Sequence, residues 1–265
     1  MVWTDDLNNG ANSLTLKEQI MAPQPVNGKV ALITGANKGI GFEIARQLGR
    51  KGMIVLLGAR DDGRGQEAAE KLRADGVDAR SIQLDVTSVE TIDRAAHRIE
   101  KEFGRLDVLV NNAGIFIDDA PPSGLAMEVL RRTYETNFFG PVAVTQAMLP
   151  LLRRSLAGRI VNMSSGLGSL TQISDPGWEF SNLILLAYNS SKTALNAVTV
   201  QFAKELHDTA VKVNSADPGY TATDMSNHQG TRSVEQGARA AVRLATLPED
   251  GPSGGFFDEH GALPW

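Results

Sequence analysis

V-A-L-I-T-G-A-N-K-G-I-G, Val30 to Gly41, decides the fold. Val30 to Ile33 is a continuous apolar run, the pattern of a strand covered on both faces. Thr34 closes it, glycines stand at 35, 39 and 41, and helical spacing starts at once. From Lys38 to Lys51 the residues Ile40, Ile44, Ala45 and Leu48 fall on one helix face. Strand, glycine turn and helix start is the arrangement in which backbone N–H groups and the helix dipole face an anion. An ordinary strand-to-helix turn accounts for one glycine but not for three. The segment therefore implies a bound pyrophosphate, and hence a dinucleotide.

Outward from this turn the pattern repeats. Met53–Leu57, Ala79–Leu84, Leu106–Val110, Arg159–Met163 and Val211–Ser215 read as further short strands. Arg64–Asp75, Val89–Phe103, Glu128–Arg153, Tyr188–His207 and Val234–Leu247 read as helices between and after them. Alternation of this kind, without internal repeats, predicts an α/β fold, a single doubly wound Rossmann-type domain. Residues 1–27 are polar, end in Pro23 and Pro25, and read as an N-terminal extension outside that domain, which then occupies 28–265.

Composition narrows the function classes. There is no cysteine among the 265 residues, so disulfides, thiolate nucleophiles and thiolate zinc sites are excluded. With 26 Lys+Arg against 31 Asp+Glu the formal charge is −5, which argues against a nucleic acid or an anionic membrane surface as partner. No run approaches the roughly 18 apolar residues of a membrane span, and the N-terminus does not read as a signal peptide. The expected location is cytoplasmic. His97, His207, His228 and His260 are scattered, and no metal site is expected.

The end of the second strand bears on which dinucleotide is bound. An acid there would bond the ribose hydroxyls of NAD, whereas basic residues accommodate the 2′-phosphate of NADP. The strand ends Gly58-Ala59-Arg60, and Lys38 lies in the glycine turn facing the same region. These two cations favour NADP(H). On the opposite reading Asp61 or Asp62 does the acid's work, and Arg60 and Lys38 are solvated surface.

Downstream, Tyr188 and Lys192 stand at i and i+4 and share a helix face. A phenol ordinarily titrates near pH 10, and a nearby ammonium stabilises the phenolate and lowers that value. The pair is a plausible general acid/base, although the same spacing also occurs as a plain surface contact.

Five motifs in order carry a resemblance. T-G-A-N-K-G-I-G, N-N-A-G at Asn111–Gly114, Ser164-Ser165 after the fifth strand, Y-x-x-x-K at Tyr188–Lys192 and P-G-Y-T-A-T at Pro218–Thr223 resemble the short-chain dehydrogenase/reductase family. The likeness runs from Lys29 to the C-terminus. A-N-K-G-I-G, the A-R strand end, and the closing G-P-S-G-G-F-F and L-P-W are similar to its carbonyl-reductase-like members.

The resemblance implies a mostly parallel seven-stranded sheet and a catalytic set of Asn137, Ser165, Tyr188 and Lys192. By it, Tyr188 donates a proton to a substrate carbonyl, and Lys192 binds the nicotinamide ribose and lowers the tyrosine pKa. Ser165 orients the carbonyl oxygen and Asn137 holds a water of the proton relay. Cofactor contacts are implied at Gly35, Asn37, Lys38, Gly39, Ile40, Arg60, Asp85, Val86, Asn112, Ala113, Gly114, Tyr188, Lys192, Pro218, Gly219, Thr221 and Thr223.

Tyr188 follows Ser165 by 23 positions, a longer gap than in most of the family. The excess is read as an insert, Gly166–Ala187, whose Trp178, Phe180, Leu183, Ile184 and Leu185 are apolar enough to pack on the domain and wall the substrate pocket, or simply to pack within the core. The resemblance implies that such an insertion covers a helix face otherwise used for subunit contact. The choice between Ser164 and Ser165 stays open to this shift. Thr223–Thr231 reads as a lid or an ordinary surface loop.

The expected activity is NADPH-dependent reduction of ketones or aldehydes, reversible toward the alcohol. The alternatives are an NAD-preferring alcohol dehydrogenase and a non-catalytic NADP-binding sensor. The expected partner is a small-molecule carbonyl or alcohol, and the chain a monomer or a homodimer.

Overall fold

The computed structural model describes residues 28–265; the expected extension, 1–27, lies outside them. The elements are β1 (Val30–Thr34), α1 (Gly39–Arg50), β2 (Ile54–Ala59), α2 (Asp62–Ala74), β3 (Ala79–Gln83), α3 (Val89–Phe103) and β4 (Val108–Asn111). Then come α4 (Met127–Tyr134), α5 (Gly140–Leu152), β5 (Arg159–Met163), α6 (Leu170–Ile173), α7 (Leu186–Glu205), β6 (Lys212–Ala216), α8 (Val234–Ala245) and β7 (Phe256–Phe257).

The strands form one sheet in the order β3-β2-β1-β4-β5-β6-β7, and every neighbouring pair is parallel. Side chains alternate across it as the pleat requires. From β1, Ala31 and Ile33 pack with Ile44 and Leu48 of α1, Leu72 of α2 and Ala241 of α8. Val30 and Leu32 face the other layer, with Ile92 and Ile99 of α3 and Val144 and Met148 of α5. The chain winds outward in both directions from β1 and β4, so their carboxyl ends open a crevice where this fold binds ligands. Thr34 and Asn111 stand there.

The stretch expected as one helix from Glu128 to Arg153 is interrupted by a π-turn, Glu135–Phe139. Pro141 has no N–H to give to the carbonyl of Asn137 four residues back. Instead the Gly140 N–H bonds Glu135 O, five residues back. The register changes where Asn137 has to be presented, a common use of π-turns.

A buried polar chain ties the sheet to α7. Asn111 Nδ2 donates to Asn162 Oδ1 (2.8 Å) and Thr145 Oγ1 (3.0 Å), and Asn162 Nδ2 donates to Thr199 Oγ1 (2.8 Å). Thr199 and Ser215 exchange a further hydroxyl bond at 2.8 Å. Replacing Asn162 by Ala removes two buried hydrogen bonds, leaving the Asn111 amide with Thr145 alone and the Thr199 hydroxyl with Ser215 and Leu195 O. Denaturant unfolding should show a loss of about 2 kcal/mol; an unchanged midpoint would contradict this role.

Candidate active site

Two turns at the crevice are bonded to each other. Thr34 Oγ1 accepts the N–H groups of Asn112 (2.9 Å) and Ala113 (3.0 Å), and Asn112 Nδ2 donates to Thr34 O at 2.8 Å. Gly35 has φ +63°, and a methyl there would lie 2.9 Å from Ala113 Cα. Gly39 has φ +59°, and a methyl on Gly41 would lie 2.8 Å from Gly35 O. The α1 N-terminus follows at Gly39, and its cap residue Lys38 makes no side-chain capping bond. These features fit a dinucleotide pyrophosphate.

At the end of β2, Arg60 is exposed, while Asp61 Oδ1 accepts the Arg64 N–H at 2.9 Å and caps α2. The nearer candidate acid is thus occupied by its own helix. Lys38 pairs with Asp224 across the crevice, both side chains more than half exposed. An exposed pair of this kind is weak, and a phosphate can displace it.

The remaining predicted contacts divide by what they hold. Asp85 Oδ1 accepts from Thr87, and Val86 is buried beneath Gly140. Asn37 and Ile40 are half-buried in the glycine turn, Ile40 packing on the core. Thr221 Oγ1 turns inward to Pro218 O (3.1 Å) and Gly219 O (3.2 Å). Thr223 caps a short 3-10 turn, Asp224–Ser226, and its methyl approaches Gly39. The segment expected as lid or loop is an ordered turn, closed at its base by a bridge between Thr221 and Arg232.

The four catalytic candidates converge beside Gly114. A methyl on Gly114 would lie 3.4 Å from Asn137 Oδ1 and 3.5 Å from Lys192 Nζ. Asn137 is buried; its Oδ1 accepts Ile115 N (2.8 Å), and its Nδ2 donates to Ile115 O (2.9 Å) and Ser191 Oγ (3.1 Å). Ser164 is buried and donates to Asn196 Oδ1 at 2.6 Å. Ser165 is half-buried, and its hydroxyl is near enough to the Tyr188 phenol to oppose the rise of the phenol's pKa. The 3-10 turn Gly166–Gly168 lets the chain leave β5 with Ser165 facing the phenol.

The sequence reading had Lys192 lowering the Tyr188 pKa, and here the structure differs. Burial pushes the phenol up to about 12, the Ser165 hydroxyl works against that shift, and the Asp217 carboxylate adds to it. Lys192 Nζ lies 5.6 Å from the ring centroid and donates to Met163 O at 2.8 Å. Burial brings Lys192 itself down to about 8. Desolvation of the phenolate outweighs an ammonium placed over the ring rather than at the hydroxyl.

The insert also differs from expectation. Trp178 and Phe180 meet edge to face at 5.4 Å, and Phe180 meets Tyr220 at 6.0 Å. Leu183 and Ile184 are exposed, and with Leu170, Leu185 and Leu186 they border a groove of about 600 Å³ along α7. Apolar content alone did not distinguish the residues packed at the site from those on this outer face. The C-terminus holds the insert: Ser169 Oγ donates to Pro264 O (2.8 Å), and Trp265 stacks on Phe256 at 5.6 Å.

Sequence reasoning missed Asp118, Ser191 and Asp217. Asp217 precedes the P-G pair, accepts the Gly219 N–H at 3.0 Å, and is pushed above the ordinary carboxylate range by burial. An acid directly before that motif was the available signal. All four histidines are exposed, and no cluster of metal-ligating side chains occurs among the described residues.

The family model for short chain dehydrogenases matches residues 29–233. The (−)-isopiperitenone reductase of Mentha piperita is 35% identical over 89% of this chain and 98% of that protein. The NADPH carbonyl reductase 1 of Mus musculus is 36% identical over 89% of this chain and 98% of its own length. The crystal structure of NADPH-bound carbonyl reductase from chicken fatty liver superposes with a TM-score of 0.79, at 25% identity, covering 91% of this chain and 100% of that one.

With Lys192 titrating near 8 and Tyr188 near 12, carbonyl reduction should need both protons in place. The kcat/KM for cofactor should be level below about pH 8 and fall about tenfold per unit above it. A limb at the ordinary lysine value of 10.5 would contradict the burial argument.

Proposed function

Since the chain belongs to the short-chain dehydrogenase family, we propose that it is an NADPH-dependent oxidoreductase that reduces ketones or aldehydes to alcohols, reversibly. The observation that carries this reading is the convergence of Ser165, Tyr188 and Lys192 next to a glycine turn suited to a dinucleotide. Bound NADPH supplies the hydride to the carbonyl carbon.

The chain supplies the proton and the placement. The Tyr188 O–H gives its proton to the carbonyl oxygen as the C=O becomes CH–OH. A phenol near 12 keeps that proton at neutral pH until the developing alkoxide draws it. The Ser165 hydroxyl polarises the same oxygen and stabilises the phenolate left behind. Lys192, charged below about pH 8, adds a positive field beneath the ring and a donor for the cofactor ribose. Asn137 spends its side chain on Ile115 and Ser191, leaving its carbonyl, which lacks the Pro141 donor, to hold a relay water.

Lys38 and Arg60 hold the 2′-phosphate in this reading, and the capping role of Asp61 weighs against an NAD-preferring dehydrogenase. Retention of Asn137, Ser165, Tyr188 and Lys192 weighs against a sensor without turnover. The partner is a small-molecule carbonyl or alcohol. A cytoplasmic location and a monomer or homodimer complete the proposal. No helix among the described residues is long and apolar enough to cross a membrane.

Tyr188→Phe removes the proton donor and keeps the ring. NADPH titration should give a Kd within about twofold of wild type, and ketone reduction should fall by about 10²–10⁴. An active variant would contradict the assigned donor.

A further inference from the structure

The helix that carries Tyr188 and Lys192 begins without a cap of its own. The residue at its cap position is Leu185, whose side chain makes no capping bond, although the first N–H groups of any helix need partners. By contrast α2, α3 and α8 are capped by their own Asp61, Ser88 and Ser233. The partner for α7 comes from far away in the chain. Asp118, in the segment after β4, accepts Ala187 N at Oδ1 (2.8 Å) and Tyr188 N at Oδ2 (3.0 Å).

The same segment also touches the proton donor's ring. Phe116 meets the Tyr188 ring edge to face, centroids 5.4 Å apart and planes at 66°. The segment is anchored in turn at Ile115, whose N–H and C=O are both taken by the buried Asn137 amide. A short route of direct contacts thus runs from Asn137 through Ile115, Phe116 and Asp118 to Tyr188. Phe116 is 39% exposed, so the segment is secured by these polar bonds more than by burial.

We propose that Asp118 is a positioning residue for the proton donor: its carboxylate holds the first turn of α7 and so sets where the Tyr188 hydroxyl stands relative to Ser165. This rests on the carbonyl-reductase reading. A carboxylate suits the place because two adjacent N–H groups need two acceptor oxygens, and because negative charge is favourable at a helix N-terminus. Proton transfer is sensitive to small displacements, and a shift of about 1 Å can cost on the order of a hundredfold in rate. The glycine turn suited to the pyrophosphate lies on other elements, and Lys192 stands a full helical turn beyond the two held N–H groups, so cofactor affinity should change far less than kcat.

The test compares Asp118→Ala, Asp118→Ser and Asp118→Asn with wild type in steady-state ketone reduction and in NADPH titration. Asp118→Ala should lower kcat at least about tenfold while the NADPH Kd stays within about twofold. Asp118→Asn keeps an acceptor oxygen for one N–H and turns an NH2 toward the other, so its kcat should fall between those of wild type and Asp118→Ala. Asp118→Ser is too short to reach both N–H groups and should show the loss seen in Asp118→Ala, serving where that variant does not fold. Ser233→Ala removes the cap of α8, away from the catalytic groups, and should lower Tm without lowering kcat.

Wild-type kcat in Asp118→Ala or Asp118→Ser overturns the proposal, as does an equal kcat loss in Ser233→Ala. Failure of the reductase reading itself shows separately, as a wild-type chain that turns over no carbonyl with NADPH. In that event amide hydrogen exchange at Ala187 and Tyr188 still decides the contact: faster exchange in Asp118→Ala supports it and unchanged exchange overturns it.

Discussion

A buried amide must find partners for its oxygen and its N–H groups, and Asn137 finds them on two elements, the segment after β4 and α7. Its oxygen and one N–H grip the backbone of Ile115, and a further bond reaches Ser191 on α7. The π-turn is what presents this side chain inward, and Pro141 favours that turn by withholding an α-helical donor. Ile115 carries the segment that contacts Tyr188, and Ser191 is the neighbour of Lys192. Both catalytic side chains on α7 are thereby referred to one amide in the crevice, beside the N-N-A-G turn that is itself bonded to the glycine turn. Cofactor site and proton donor share one frame.

Within that frame, burial sets the protonation states. Water is scarce around the phenol and the ammonium, and the neutral form of each gains. Tyr188 moves up to about 12 and Lys192 down to about 8. The direction suits reduction, in which the tyrosine begins protonated and yields its proton only as charge develops on the substrate oxygen. Ser165 offsets part of the cost of the phenolate, whereas Asp217 adds to it. The chain thus has a ready acid in the resting state and a donor to stabilise its conjugate base.

Much of this was legible in the sequence because parallel strands buried on both faces leave continuous apolar runs, and the ends of those runs locate the motifs. Val30–Thr34 with its glycine turn, Arg159–Met163 before Ser165, and the Y-x-x-x-K pair all read out locally. Contacts between distant segments did not. Asp118 reaches Tyr188 across 70 positions, and no periodicity encodes such a bond. The π-turn had a visible cause in Pro141 inside a helical pattern. The insert's apolar residues announced that they pack somewhere but not on which side, which is why Leu183 and Ile184 were misplaced. The phenol's acidity failed for a related reason: spacing along a helix gives proximity of charge, whereas desolvation depends on everything packed around the ring.

The most direct test of the account is the oxidation of NADPH by the purified chain across a small panel of ketones and aldehydes, with the alcohol product quantified and NADH run in parallel. The account predicts cofactor consumed one for one with alcohol formed, and NADPH preferred by at least about tenfold. Consumption without alcohol, or an equal preference for NADH, would contradict it.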